Sequence, residues 1–110
     1  MRLEANGKEF NTDTSKRLAY TRYRSSERER AHTLDGRLPD DVHTWDTLYQ
    51  EESGAIYLLR HERVAYGDQI VYKDQVMEMT VEEVGKWNEE VMPAYFTKEF
   101  RELMKAVSTK

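Results

Sequence analysis

Residues 42–61 restrict what this chain can fold into more than any other stretch, because they read as two strands and the tight turn between them. In VHTWDTLYQ, Trp45 and Tyr49 fall on one face of an extended chain and Asp46 and Leu48 on the other, while in AIYLLRH the β-favouring Ile56 and Tyr57 lead a short apolar run. Between them, Glu51, Glu52, Ser53 and Gly54 form a loop of about four residues, closed by the residue that takes a positive φ without a Cβ penalty.

The segments on either side repeat this theme. Residues 1–5 alternate around Leu3, Asn6-Gly7 is a strong two-residue hairpin signal, and residues 8–10 supply a return strand. Residues 11–15 are rich in side chains that bond their own backbone and read as a turn or a single helical turn. Residues 17–24 read as a strand with Leu18, Tyr20, Arg22 and Arg24 on one face and Arg17, Ala19, Thr21 and Tyr23 on the other; a helix clustering Ala19, Tyr20 and Tyr23 is the alternative. A capping box at Ser26–Glu29 predicts a short helix over 27–34, and Leu38-Pro39-Asp40-Asp41 breaks the pattern before the central hairpin. Beyond it, Gly67-Asp68 marks a turn, and a second turn at Lys73-Asp74 would divide 70–79 into two short strands.

The last third of the chain is helical in pattern. Thr80 and Glu83 form a second capping box, and Val84, Trp87 and Val91 follow at helical spacing, predicting a helix over 81–92 that lays Trp87 on the sheet. Gly85 within it weakens the helix by about 1 kcal/mol relative to Ala, which suggests a close neighbour. Pro93 should end this helix and open the next, whose stripe is Phe96, Phe100, Leu103, Met104 and Val107. The expected architecture is α+β: a single domain over 1–110 with a small antiparallel sheet built from hairpins, packed by two C-terminal helices.

The chemistry is sparse. Without cysteines the chain has neither disulfides nor a thiol nucleophile, and its five glycines are too scattered for a phosphate-binding loop. His43 and Asp46 resemble a metal pair, but residues three apart on a strand point to opposite faces and cannot share one ion. We therefore expect no enzyme, no metal and no cofactor. No apolar run approaches the roughly 18 residues of a membrane span, so a cytoplasmic protein is the expectation.

Charge and aromatic content point instead to binding. Residues 1–37 carry a balance of +3 and residues 38–110 one of −7. The basic front, Lys16, Arg17, Arg22, Arg24, Arg28 and Arg30, is interleaved with Tyr20 and Tyr23, the pairing of guanidiniums and rings that nucleic-acid binding uses. An overall net charge of −4 speaks for a solvated face instead. An acidic surface imitating DNA would draw on Glu82, Glu83, Glu89, Glu90, Glu99 and Glu102, although helices ordinarily carry such outer faces. Seven tyrosines and two tryptophans exceed what a small core needs. Trp45, Tyr57 and Trp87 are assigned to packing, whereas Tyr23, Tyr66 and Tyr95 stay open as contacts to a partner.

Several short motifs add a resemblance. NGKEFNTDT over 6–14, Leu48-Tyr49 with Gly54 and Tyr57-Leu58-Leu59, and Met79-Thr80 with Glu82-Glu83 and Trp87 resemble a group of small proteins carried by phages, plasmids and conjugative elements. Their pattern is roughly NGKxYNTxTA, LYxxxxGxYFL and EExxxW. The chain departs from it at 60–66, where only Tyr66 is kept of a Gly-rich turn and its tyrosine, and 24–41 looks like an insertion. The resemblance implies a mobile-element accessory protein, of the kind that includes anti-CRISPR proteins: a stoichiometric inhibitor that binds a host defence protein or ribonucleoprotein complex. The alternative is a nucleic-acid-binding regulator using residues 16–30. Under either reading the candidate contacts are Arg17, Arg22, Tyr23, Arg24, Arg28, Arg30, Tyr66 and Tyr95.

Overall fold

The central hairpin forms and is longer than its pattern suggests. In the computed structural model, which describes residues 2–5, 7–21, 24–25 and 41–108, β5 (Asp41–Gln50) pairs antiparallel with β6 (Ile56–Tyr66) through ten consecutive partners, from Asp41↔Ala65 to Gln50↔Ile56. The loop is 51–55, one residue more than expected, closed by Gly54 at φ 96° and by a hydrogen bond from the Glu51 N–H to the Ala55 carbonyl. Gly67, at φ 60°, then turns the chain into β7 (Gln69–Met79), which pairs with all of β6.

β7 corrects the expected turn at Lys73-Asp74. The strand runs through both residues, because each faces a complementary group on β6: Lys73 lies opposite Glu62, and Asp74 opposite His61, whose Nδ1 it meets. Cross-strand pairs along a long register outweigh a two-residue turn signal.

The first hairpin also forms, from β1 (Arg2–Ala5) and β2 (Lys8–Asn11), with Gly7 at φ 77°. It stands apart as a two-stranded sheet. The turn after it is built as expected, with the Asp13 N–H donating to Asn11 Oδ1 at 2.9 Å. β3 (Lys16–Tyr20) then pairs with β5, confirming a strand, but a bulge between Arg17 and Ala19 changes its faces. Leu18 and Ala19 are both buried against the core, and Arg17 and Tyr20 share the other side. A strict alternation cannot anticipate this, because an extra residue shifts the period by one. The strand does not run on to residue 24 either: β4 (Arg24–Ser25) is a separate short piece that pairs with β5 at Thr44 and His43. The helix expected over 27–34 lies outside the described residues.

The C-terminal third contains α1 (Val81–Val91), with both bonds of the Thr80–Glu83 capping box in place, and α2 (Lys98–Ser108). Pro93 does not open the second helix. Between the helices, β8 (Tyr95–Phe96) adds an edge to β3, and Thr97 caps α2 by accepting from the Phe100 N–H at 3.2 Å. Phe96 therefore belongs to a strand and not to the helical stripe. Gly85 does make the close approach its cost implied: a Cβ there would lie 3.3 Å from Val107 Cγ1 on α2.

The main sheet runs β7-β6-β5-β3-β8, with β4 also on β5. Both helices cover one face, where Leu18, Ala19, Leu48, Ile56, Leu58, Val84, Trp87 and Phe100 form the principal core. The small hairpin covers one end of the opposite face, Phe10 stacking on Tyr57 with ring centroids 4.4 Å apart. No helix among the described residues is long and apolar enough to cross a membrane.

Candidate functional site

A charged node holds α1 on the sheet. Asp46, side chain fully buried, lies opposite Arg60 on β6 and accepts from it in bidentate fashion, Nε to Oδ1 at 3.0 Å and Nη2 to Oδ2 at 3.2 Å. The Trp87 Nε1–H reaches the same Oδ2 at 2.8 Å. Hydrogen bonding to Asp46 holds the Arg60 guanidinium more firmly charged than usual, against the opposing effect of burial. The Asp46 backbone is engaged as well, donating to Thr21 Oγ1 at 2.8 Å and accepting from the Thr21 N–H at 2.9 Å. Accepting three hydrogen bonds from Arg60 and Trp87, the buried Asp46 carboxylate anchors α1 to the sheet. Among the described residues no three metal-ligating side chains converge, and His43 does not join Asp46, which faces the helices.

The expected contact residues fare differently from one another. Tyr66 is only 4% exposed and packs with Val42 and Val64, so it is a core residue and not a contact. Its place at the end of β6, on the alternating face of Val64, explains the burial. Arg24 is fixed on β4 beside Thr44, while Arg22, Tyr23, Arg28 and Arg30 lie outside the described residues. Arg17 and Tyr95, 78 positions apart, are brought together.

What joins them is Tyr20. Its ring stacks on that of Tyr95 with centroids 5.0 Å apart and planes 21° apart, directly across the β3–β8 pairing. The Arg17 guanidinium sits 4.9 Å from the Tyr20 centroid. The bulge is the cause: by turning both Leu18 and Ala19 inward it leaves Arg17 and Tyr20 on the open side. Tyr95 is 44% exposed and forms the outer end of the stack. Lys16, on the opposite face of β3 from Arg17, bridges to Glu99 of α2 at 3.3 Å, an interaction that, after Glu99's backbone hydrogen bonding, helps hold that carboxyl below its usual range.

The same open face carries a second group of rings. Trp45 and His61, opposite one another, have centroids 4.2 Å apart, and His61 lies 5.9 Å from Tyr72, itself 61% exposed. Trp45 was assigned to packing and is only part-buried. The register was the missing signal: pairing Gln50 with Ile56 places His61 opposite Trp45 and Arg60 opposite Asp46, which a loop one residue shorter does not.

No protein-family model matches the chain, and neither does any curated protein or solved structure. What it does must be read from this surface.

Proposed function

We infer that this is a non-catalytic binding protein, a mobile-element accessory protein that inhibits a host defence system of the anti-CRISPR type by occupying a surface of one of its complexes in the host cytosol. The observation that supports the reading is the Arg17–Tyr20–Tyr95 stack on the sheet face opposite the helices. Tyr and Arg are the residues that most often anchor protein interfaces, since rigid rings bury much area at little entropic cost. The class of partner is inferred from the resemblance of its short motifs to those of small mobile-element proteins.

A second reading uses the same stack. A guanidinium on an aromatic platform also suits single-stranded nucleic acid, whose bases stack on rings while phosphates meet cations. A net charge of −4 works against it.

One experiment separates the two. The protein is used to capture partners from host lysate with and without nuclease, beside its Arg17→Glu and Tyr95→Ala variants. Recovery of a defined complex that survives nuclease and fails with both variants supports the inhibitor. Recovery abolished by nuclease, with direct binding to single strands at about 50 mM salt that falls steeply as salt rises, supports the nucleic-acid reading. If both variants capture what the parent captures, neither reading of the stack survives.

A further inference from the structure

β7 stands last in the strand order of the main sheet, and among the described residues no strand lies along its outer side. Over residues 69–75 every side chain but that of Val71 is exposed. An edge strand presents a row of backbone N–H and C=O groups, and such rows are usually blunted by shortness, proline, a bulge or guarding charges. The opposite edge, β8, is blunted by its length of two residues. β7 has eleven residues, no proline and an unbroken register with β6. Its charges at 73 and 74 are matched to β6, Lys73 opposite Glu62 and Asp74 meeting His61 Nδ1. The small hairpin covers only the far end, where Lys8 Nζ meets Glu78 at 3.3 Å and Val76 joins the cluster around Phe10. What fits the rest is an extended strand, whose alternating donors and acceptors repeat at the spacing of the edge.

We propose that this strand is supplied by a second copy of the chain: β7 pairs antiparallel with β7 of the other copy about a twofold axis at Val71, joining two sheets into one. Symmetry leaves few registers, because a twofold axis perpendicular to a sheet sets one residue opposite itself and keeps opposed side chains on a shared face. Centring on Asp74, the full overlap, sets carboxylate against carboxylate, and centring on Lys73 sets ammonium against ammonium; like charges directly opposite destabilise. Centring on Tyr72 puts Ile70 against Asp74 and Val71 against Lys73, and centring on Ile70 puts Tyr72 against Asp68. Of the centres within 69–75, Val71 alone leaves no apolar residue opposite a charge. Val71 then faces itself, and Ile70 faces Tyr72 of the other copy twice over, so that two large side chains 43% and 61% exposed cover one another. Asp68 does come opposite Asp74, but it lies in the turn beyond the end of the strand. On the other side of the sheet Val71 packs with Val42, Val64 and Tyr66, so the junction joins this cluster to its copy. The small hairpins stay clear, because residues 76–79 of each copy run past the Gly67-Asp68 turn of the other. An overlap this short belongs to the small end of interface sizes and gives a weak, concentration-dependent dimer. It lies at the opposite edge from β3 and β8, so its failure leaves the binding role of Arg17 and Tyr95 untouched.

Sedimentation of the whole protein from about 1 µM to about 1 mM should show its mass rising from one copy towards two. Ile70→Lys and Tyr72→Glu, both at exposed positions, should each raise the dissociation constant of the dimer at least about tenfold. The double variant should recover most of that loss, because the introduced cation and anion then face each other across the junction. Since the chain has no cysteine, single cysteines report the register directly. Opposed residues of an antiparallel pair have Cα atoms about 4.5 to 5.5 Å apart, within the span of a disulfide. Val71→Cys should therefore oxidise to a covalent dimer, whereas Gln69→Cys and Tyr72→Cys, offset from their own copies, should stay monomeric under the same oxidant. A mass of one copy at about 1 mM, cross-linking through Gln69→Cys or Tyr72→Cys as efficient as through Val71→Cys, or a double variant no better than the single ones would overturn the proposal.

Discussion

The two faces of the main sheet are built from different materials. Under the helices lie mostly aliphatic side chains, Leu18, Leu48, Ile56 and Leu58, beside one buried ion pair. On the other face lie rings: Tyr49 and Tyr57 beneath Phe10 of the small hairpin, and Tyr20, Tyr95, Trp45, His61 and Tyr72 beyond it. Aliphatic packing is dense and demands complementary shape, whereas a half-exposed ring keeps its place whether or not a partner covers it. The helix face therefore holds the fold, and the opposite face is where the proposed binding role is placed.

The sharpest way to break this division is at the node. Asp46→Ala strands the Arg60 guanidinium and the Trp87 N–H in a buried site and should cost about 3 to 5 kcal/mol in denaturant-induced unfolding. Trp87→Ala removes the ring from the core and should cost a similar amount, about 3 to 5 kcal/mol. A loss below about 1 kcal/mol in either would mean that the helices are held by something other than this face.

A smaller effect distinguishes the covered end of the ring face. The Tyr57 hydroxyl is pushed up to about 12, first by burial and then by the carboxylates Glu51 and Glu78. Its folded value is raised, so the stability it contributes is complete below pH 10, where the unfolded side chain titrates, and is lost as pH rises towards 12. Absorbance should show one tyrosine ionising near pH 12, and Tyr57→Phe should remove that step and flatten the alkaline fall in melting temperature. A full complement of tyrosines titrating near 10 would contradict the burial.

The smallest effect on stability belongs to the stack. Tyr95→Ala and Arg17→Ala each remove an exposed contact and should cost about 1 kcal/mol or less. The same variants should lose partner binding, so that stability and binding separate. A large loss of stability in Tyr95→Ala would instead make the ring part of the core and blur the contrast between the faces.

Local signals were read correctly where one local interaction decides. The Thr80–Glu83 box, and Gly7 and Gly54 in their turns, all formed from information within a few residues. Elements were missed where a single residue shifts a period. Ala55 lengthens the loop by one, and without it Asp46 would face Leu59 and the ion pair with Arg60 could not exist. The bulge at Leu18 likewise exchanged the faces of β3 and so created the Arg17–Tyr20 contact that simple alternation denies. At Lys73-Asp74 and at Pro93, local punctuation gave way to long-range pairing, with β6 in one case and β3 in the other.

β3 has a further consequence for how the chain is made. Its inner edge waits for residues 47–50, and among the described residues its outer edge pairs with Tyr95 and Phe96, sealed by the Thr97 N–H donating to the Leu18 carbonyl at 2.9 Å. At about 5 to 20 residues per second, a ribosome delivers that outer partner several seconds after β3 has emerged. For that interval the strand bearing Arg17 and Tyr20 is an open edge, the kind that recruits chaperones or neighbouring nascent chains. A translational pause ahead of residue 95 should prolong the interval and lower the soluble yield, even though every codon downstream is read faithfully.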